Sequence, residues 1–346
     1  MPGPGERPLS WAGVTVALLL LAASLVVILA GCELFVNAIE WLGQRLHLDD
    51  GATGSLLAAV GTAMPETLIP IIAIVFVGDA DAEEVGIGAI MGAPFLLATL
   101  AMAVTAAAVL IFAARGRRTR VVTADRTVMS RDLSYFLAGL SVALLMGVVD
   151  APGALKIAVA AALVAFYGVY VWRTLKGDVR HGQELKPLYL QRGRPEPTTG
   201  RVVIQTVLGL GAIVGGADLF VQAVSGVADD LGVSALALSL LIAPLATELP
   251  EKFNSVLWIR ERKDTLALGN ITGAMVFQST IPVCVGMALT PWELGRYAVV
   301  AAVLALASGG IAWVGLHLRK RISWPTLALG LPFYLAFVGY VIVGAG

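Results

Sequence analysis

Apolar residues in this chain come in long runs, and polar positions interrupt them only at intervals. A run of about twenty apolar residues is enough for a helix to cross a hydrocarbon core. Such runs fall at about 12–42, 52–77, 85–113, 132–149, 155–173, 202–228, 235–259, 265–289, 297–316 and 325–344. The pattern predicts an all-α polytopic membrane protein with ten transmembrane helices. The first and sixth runs are overlong, so a tilt, a kink or an interfacial end is expected there. The gaps leave no room for a soluble domain. Composition agrees: 58% of the 346 residues are hydrophobic and 14% charged, roughly half the charged fraction usual in soluble domains.

Net charge is zero, but the charges are unevenly placed. With the 114–131 gap set inside, twenty of the 24 Lys and Arg fall on that side: Arg45, six in 114–131, seven in 173–201, Arg260, Arg262, Lys263, Arg319, Lys320 and Arg321. Arg7, Lys156 and Arg296 fall opposite, and Lys252 lies within a run. The positive-inside rule then places both termini outside a plasma (bacterial inner) membrane, with Arg118 reachable from the cytoplasm. The outer gaps are acidic at Asp79, Asp81, Glu83, Glu84, Asp229 and Asp230. Such a set either gathers cations near a pore mouth or is solvated loop charge. Cys32 and Cys284 both lie in apolar runs, so no disulfide framework is implied. "LAGC" at 29–32 has the form of a lipoprotein cleavage box, but the apolar run before it exceeds the roughly 7–15 residues of a signal core.

The chain repeats itself. Residues 31–66, "GCELFVNAIEWLGQRLHLDDGATGSLLAAVGTAMPE", align without gaps to 216–251, "GADLFVQAVSGVADDLGVSALALSLLIAPLATELPE", with twelve identities. These include Thr62/Thr247, Pro65/Pro250 and Glu66/Glu251. After a short offset "GIGAIMGAPFLLAT" (86–99) lies over "ALGNITGAMVFQST" (267–280). Because Cys32 aligns with Ala217 inside the repeat, "LAGC" reads as part of a span. The predicted organisation is a first five-helix repeat at 1–173 with its core at about 31–113, a basic cytoplasmic linker at 174–201, and a second five-helix repeat at 202–346 with its core at about 216–289. Five is odd, so the halves enter the membrane from opposite sides. Many secondary transporters are built from such inverted repeats, with the site at mid-membrane between them.

The repeated Thr-x-x-Pro-Glu motif sits at membrane depth, where a carboxylate is costly without a task. Pro65 removes the helical partner of the Gly61 carbonyl, and Pro250 does the same for Ala246. Thr62 and Glu66 are four apart and share a helix face, as do Thr247 and Glu251. Each copy thus offers a carboxylate, a hydroxyl and a freed carbonyl, all hard oxygen ligands of the kind sodium and calcium accept. Two inverted copies facing each other would coordinate a cation jointly. Gly88-x-x-x-Gly92 and Gly269-x-x-x-Gly273 match the small-residue spacing that lets helices pack closely, and are expected to seat the third and eighth spans against the kinked second and seventh.

"GTAMPE" with "GIGAIMGAPF", and "ATELPE" with "GNITGAMVFQ", resemble the paired alpha-repeats of the cation/calcium antiporter superfamily, which includes the sodium/calcium exchangers. The resemblance covers the first three spans of each half. It implies that Glu66 and Glu251 bind the transported ions, with Thr62 and Thr247 beside them. The third-span pattern of that family, Gly-Asn-x-x-Gly-Ser-Asn-x-x-Asn/Asp, is altered here. The first half reads Gly88, Ala89, Gly92, Ala93, Pro94 and Leu97, without a polar ligand; the second keeps Asn270 but has Ala274, Met275 and Gln278. Ala63 and Glu248 stand where the family commonly has a serine. Calcium takes about six to eight oxygens, more than this reduced set readily supplies.

The function expected is a secondary cation antiporter working by alternating access, exchanging a divalent cation such as calcium for sodium or protons. The alternatives are a monovalent cation/proton exchanger and a non-transporting regulator built on the same scaffold. An intramembrane enzyme is not expected, since the spans hold no His cluster or paired Asp, and His47, His181 and His317 fall at span ends or in loops. No resident cofactor is expected. The partners are inorganic cations and the lipid bilayer, with no nucleic acid, and the oligomeric state is left open. Glu248 and Lys252 are four apart in the order that favours a helical ion pair. Glu248 is therefore expected to neutralise Lys252, leaving Glu66 and Glu251 as the net charges of the site.

Overall fold

Helices alone build the described part of the chain. The computed structural model describes residues 11–45, 64–78, 80–175, 187–191 and 196–344. The helices, in order, are α1 (Trp11–Arg45), α2 (Met64–Ile72), α3 (Ala80–Leu96), α4 (Met102–Ala114), α5 (Arg126–Val148), α6 (Gly153–Leu175), α7 (Thr199–Leu231), α8 (Ala235–Arg260), α9 (Asp264–Gln278), α10 (Ile281–Leu289), α11 (Arg296–Arg319), α12 (Trp324–Ala328) and α13 (Gly330–Gly344). Wide π-turns extend α2 through Ala73–Val77 and join α3 to α4 through Leu97–Ala101. Among the described residues, eight helical stretches are long and apolar enough to cross a membrane. They correspond to eight of the ten predicted runs. The second run is described only from Met64 onward, and the seventh is the helix α8.

Long apolar helices need few local signals, because in hydrocarbon every backbone group must be bonded within its own segment. The ends carry the local chemistry. Asp125 caps α5, its carboxylate accepting from the Thr127 and Val128 amides at 2.7 and 3.0 Å. Ser234 caps α8 through the Ala237 amide at 3.3 Å. The N-terminal end of α8 also meets Glu84, whose carboxylate lies 3.4 Å from the Ser234 hydroxyl and the Leu236 amide. This outer-gap acid therefore sits against a helix N-terminus, where its charge meets the positive end of the dipole.

The helices form two packed groups. The larger core is built on α3, α4, α5, α8, α9, α10, α11 and α13, with Phe95, Phe136, Trp292 and Phe337 fully buried. A second cluster joins α1 and α7 to α2 and the start of α3 through Ile28, Ile69, Ile213 and Phe220. α1 and α7 run antiparallel at close range: a Cβ on Gly209 would lie 2.7 Å from the Phe35 amide. The linker is drawn onto this pair. Leu188 is buried with Ala38, Trp41 and Val202, and the Asn37 side-chain oxygen accepts from the Tyr189 amide and from Gln205 Nε2 at 3.2 and 2.9 Å.

The glycine spacing of the third span does what its pattern predicts. α3 crosses α8 so closely that a Cβ on Gly92 would collide with the Leu240 carbonyl and one on Gly88 would lie 2.7 Å from that of Leu236. At the same crossing the Ser239 hydroxyl donates to the Val85 carbonyl at 2.7 Å. The aligned glycines differ. Among the described residues, a Cβ on Gly269 would approach Val128 at 3.9 Å and one on Gly273 would approach the Tyr170 hydroxyl at 3.5 Å, both ordinary contacts.

One end of the bundle gathers the basic segments, and one of their arginines is not on the surface. Arg118 is only 6% exposed. It forms a bidentate pair with Asp264 at 2.6 and 2.8 Å and donates to the Ile259 and Val121 carbonyls, both at 2.8 Å. The Thr123 amide adds a bond to Asp264 at 2.7 Å. The expectation that Arg118 is reachable from solvent is thus corrected: it clasps the α4–α5 loop to the start of α9.

Candidate functional site

The third span of the second half breaks where the sequence places a ligand. α9 ends at Gln278, and the Ser279 amide still bonds back to the Met275 carbonyl at 3.0 Å. Thr280 leaves the helical ladder with an amide bond to the Phe277 carbonyl, and Pro282 lies in the first turn of α10. Thr280 adopts φ −126°, ψ −73°. The freed groups are partly met from within: the Ser279 hydroxyl donates to the Val276 carbonyl at 3.1 Å, and that of Thr280 to the same carbonyl at 2.8 Å. The aligned stretch of the first half is the Leu97–Ala101 π-turn, following Pro94. There the Ala98 carbonyl accepts from Ser308 at 2.6 Å and the Phe95 carbonyl from Thr99 at 2.6 Å. Both stretches therefore depart from regular helix at aligned positions, and irregular backbone within a span is tolerated if protein surrounds it or a cavity adjoins it.

Gln278 is 1% exposed and Glu248, on the neighbouring α8, is 2% exposed. Gln278 Nε2 donates to Glu248 Oε1 at 3.1 Å. The other end of the amide, Oε1, is buried and meets no hydrogen-bond donor among the described residues. An acceptor left in that state costs about 1–3 kcal/mol, and a cation is one partner that would relieve it. Thr247 is buried one residue before Glu248, and its hydroxyl donates to the Ala243 carbonyl at 3.0 Å, leaving its lone pairs as acceptors. Asn270 lies two turns before Gln278 on α9 and donates to the Ser255 hydroxyl at 3.3 Å rather than to Glu248.

The structure thus brings Glu248 and Gln278 together, with Thr247 adjacent, and holds Asn270 nearer the end of α8. Gly61 and Thr62 lie outside the described residues. Glu66 lies on α2, and Ala246, Glu251 and Lys252 lie on α8, but their side chains fall outside those described, as does the proposed Glu248–Lys252 pair. Their helices do meet: α2 packs against α8 and against α10.

Two buried polar groups near the bundle's basic end were not among the expected site residues. Ser255, 1% exposed, holds Asn270. Asp132 accepts from Thr272 at 2.7 Å, Tyr170 at 3.1 Å and Arg131 Nε at 3.0 Å. Asp132 carried a signal in the sequence, being a carboxylate at the start of an apolar run. Ser255 carried none.

The described helices are those of a membrane protein with two interrupted spans, one of which ends on a buried contact between its amide and a carboxylate of the neighbouring α8. The sodium/calcium exchanger protein family model matches residues 16–176 and 201–343, and the chain belongs to that family. A relative named "Putative antiporter CaxA", from Alkalimonas amylolytica, is 32% identical over 154 residues. That match spans 42% of this chain and 46% of the relative, so less than half of the relative's length is matched. Among solved structures, an H+/Ca2+ exchanger, CAX, is similar at a TM-score of 0.67 with 16% identity, covering 95% of this chain and 86% of that one. The native YfkE structure is similar at 0.66 with 16% identity, covering 96% and 98%. The sodium-calcium exchanger NCX_Mj is similar at 0.53 with 15% identity, covering 94% and 99%. At these identities the structures establish a shared fold. The family is one of membrane antiporters that exchange cations, not of enzymes.

Proposed function

We propose that the chain exchanges a divalent cation, calcium, against sodium or protons by alternating access, around a carboxylate site at mid-membrane between two inverted five-helix repeats. The observation that carries this reading is the Glu248–Gln278 contact: a buried carboxylate held by an amide whose oxygen meets no donor among the described residues, at the break of a membrane span. Glu251 follows on the same helix, and Glu66 is on α2, which packs against it. The names of the structural neighbours support calcium as cargo, and they differ over the coupling ion, proton for CAX and sodium for NCX_Mj.

A second reading, a monovalent cation/proton exchanger, is favoured by the first-half third span. Ala89, Ala93 and Leu97 stand at the family's ligand positions and are buried in apolar packing, with Leu97 fully enclosed. That leaves few oxygens for calcium, whose shell takes about six to eight.

Flux in proteoliposomes separates these readings. Calcium uptake should follow an imposed sodium or pH gradient, and Glu66→Gln or Glu251→Gln should abolish it in folded, inserted protein. Sodium or potassium flux driven by a pH gradient, without calcium flux, would select the monovalent exchanger. Calcium binding with no flux under any gradient would leave only the scaffold as a regulator.

A further inference from the structure

A groove of ≈ 490 Å³ opens between the start of α5 and the end of α6, on the end of the bundle where the basic segments gather. Its α5 wall presents residues 126, 127, 130, 131, 134 and 135, one helix face, and Arg173 of α6 closes the other side. The groove contains three arginines. Arg131 is already committed, pairing with Asp132 at 2.9 Å and lying over the Tyr170 ring at 5.3 Å. Arg126 and Arg173 are exposed and form no ion pair with a described carboxylate. The nearest acid in sequence, Asp125, has its carboxylate taken by the amides of the α5 N-terminus.

Two hydroxyls of the same wall, those of Ser130 and Ser134, are engaged by α11. The Trp313 indole N–H donates to the Ser134 hydroxyl at 2.8 Å. His317 Nδ1 lies 2.8 Å from the Trp313 carbonyl and so carries the proton, leaving Nε2 to accept from the Ser130 hydroxyl at 3.3 Å. Two guanidinium groups without an ion-pair partner among the described residues therefore overhang this groove, and guanidinium forks match phosphate oxygens in pairs.

What surrounds the groove decides the kind of phosphate. Trp172, 56% exposed, neighbours Arg173, and the exposed apolar surface continues along α6 through Val169 and Val164. A soluble anion uses only the arginines, whereas a phospholipid uses both the charge and the apolar surface. Aromatic residues beside basic ones at a span end also mark the headgroup level. We propose that this groove holds the headgroup phosphate of an anionic phospholipid of the adjoining leaflet, with its acyl chains along the exposed face of α6. Basic pockets between spans are a known means of retaining such headgroups.

Native mass spectrometry of the full-length protein in detergent, titrated with phosphatidylglycerol or phosphatidylcholine, tests the proposal. Phosphatidylglycerol should be retained preferentially, and Arg126→Gln with Arg173→Gln should weaken it on the order of tenfold. The corresponding double lysine variant should keep part of the preference and serves as the folding control, since both side chains lie at the surface. Equal retention of the two lipids by the wild-type chain overturns the proposal, as does unchanged phosphatidylglycerol binding in the glutamine variant. Displacement of the lipid by millimolar inorganic phosphate also overturns it, by assigning the arginines to a soluble anion.

Discussion

Gln278 is where a single side chain decides most. Its amide nitrogen holds Glu248 and its oxygen faces no described donor, so the residue both positions a carboxylate and offers an acceptor. In Gln278→Leu the volume is roughly kept and both functions are lost. The half-saturating cation concentration should rise about tenfold or more, equivalent to about 1.4 kcal/mol, and an unchanged value would remove Gln278 from the site. The charge of Glu248 needs its own measurement. If Glu248 serves to neutralise Lys252, Glu248→Gln should weaken cation binding and adding Lys252→Met should restore it. A double variant no better than Glu248→Gln would make Glu248 a direct ligand. The sequence named both residues, but they are thirty apart, and their meeting depends on how α8 packs on α9.

Among the helices and loops, the Arg118–Asp264 clasp carries a sharper consequence than any apolar contact. It ties a loop of the first half to a helix start of the second, with both side chains almost fully enclosed. Removing one partner of such a pair leaves an uncompensated buried charge, at a cost of about 3–5 kcal/mol, whereas replacing both with apolar residues is often neutral. Asp264→Asn should therefore lower the thermal midpoint clearly in detergent, and Arg118→Met with Asp264→Leu should recover most of it. If the double variant melts no higher than Asp264→Asn, the pair is not what the fold depends on. Nothing in a run of four closely spaced arginines marks the one that turns inward. The span breaks at 97–101 and 279–280 were only half legible: Pro94 and Pro282 mark weak points of the helix, but apolar composition is the same on both sides of them. The Gly88–Gly92 spacing was legible, because only residues without a side chain permit the α3–α8 crossing.

For the whole molecule, the orientation expected from the charge asymmetry is still to be measured, and the structure shows which positions report it. Arg118 is unsuitable, being buried, but Arg120 is exposed near it at the basic end and Glu293 is exposed at the opposite end. A single cysteine at Glu293 should react with an impermeant maleimide on intact cells, and one at Arg120 only after permeabilisation. The reverse pattern would invert the topology and place the arginine groove in the outer leaflet.

The sequence by itself determined the helical membrane class, the positions of most of the long apolar helices and the family, because each is written in local composition or in motifs a few residues long. Transfer from water to hydrocarbon acts on every residue of a run alike, so a span is legible without knowing its neighbours. The tertiary structure decided which groups meet. Glu248 faces Gln278, Asn270 turns to Ser255, Arg118 is withdrawn from solvent, and Arg126 and Arg173 overhang one groove. Each of these contacts joins residues that are distant along the chain or on separate helices. They depend on crossing angles and helix breaks that hydrocarbon does not specify, since it solvates every apolar face of a helix equally well.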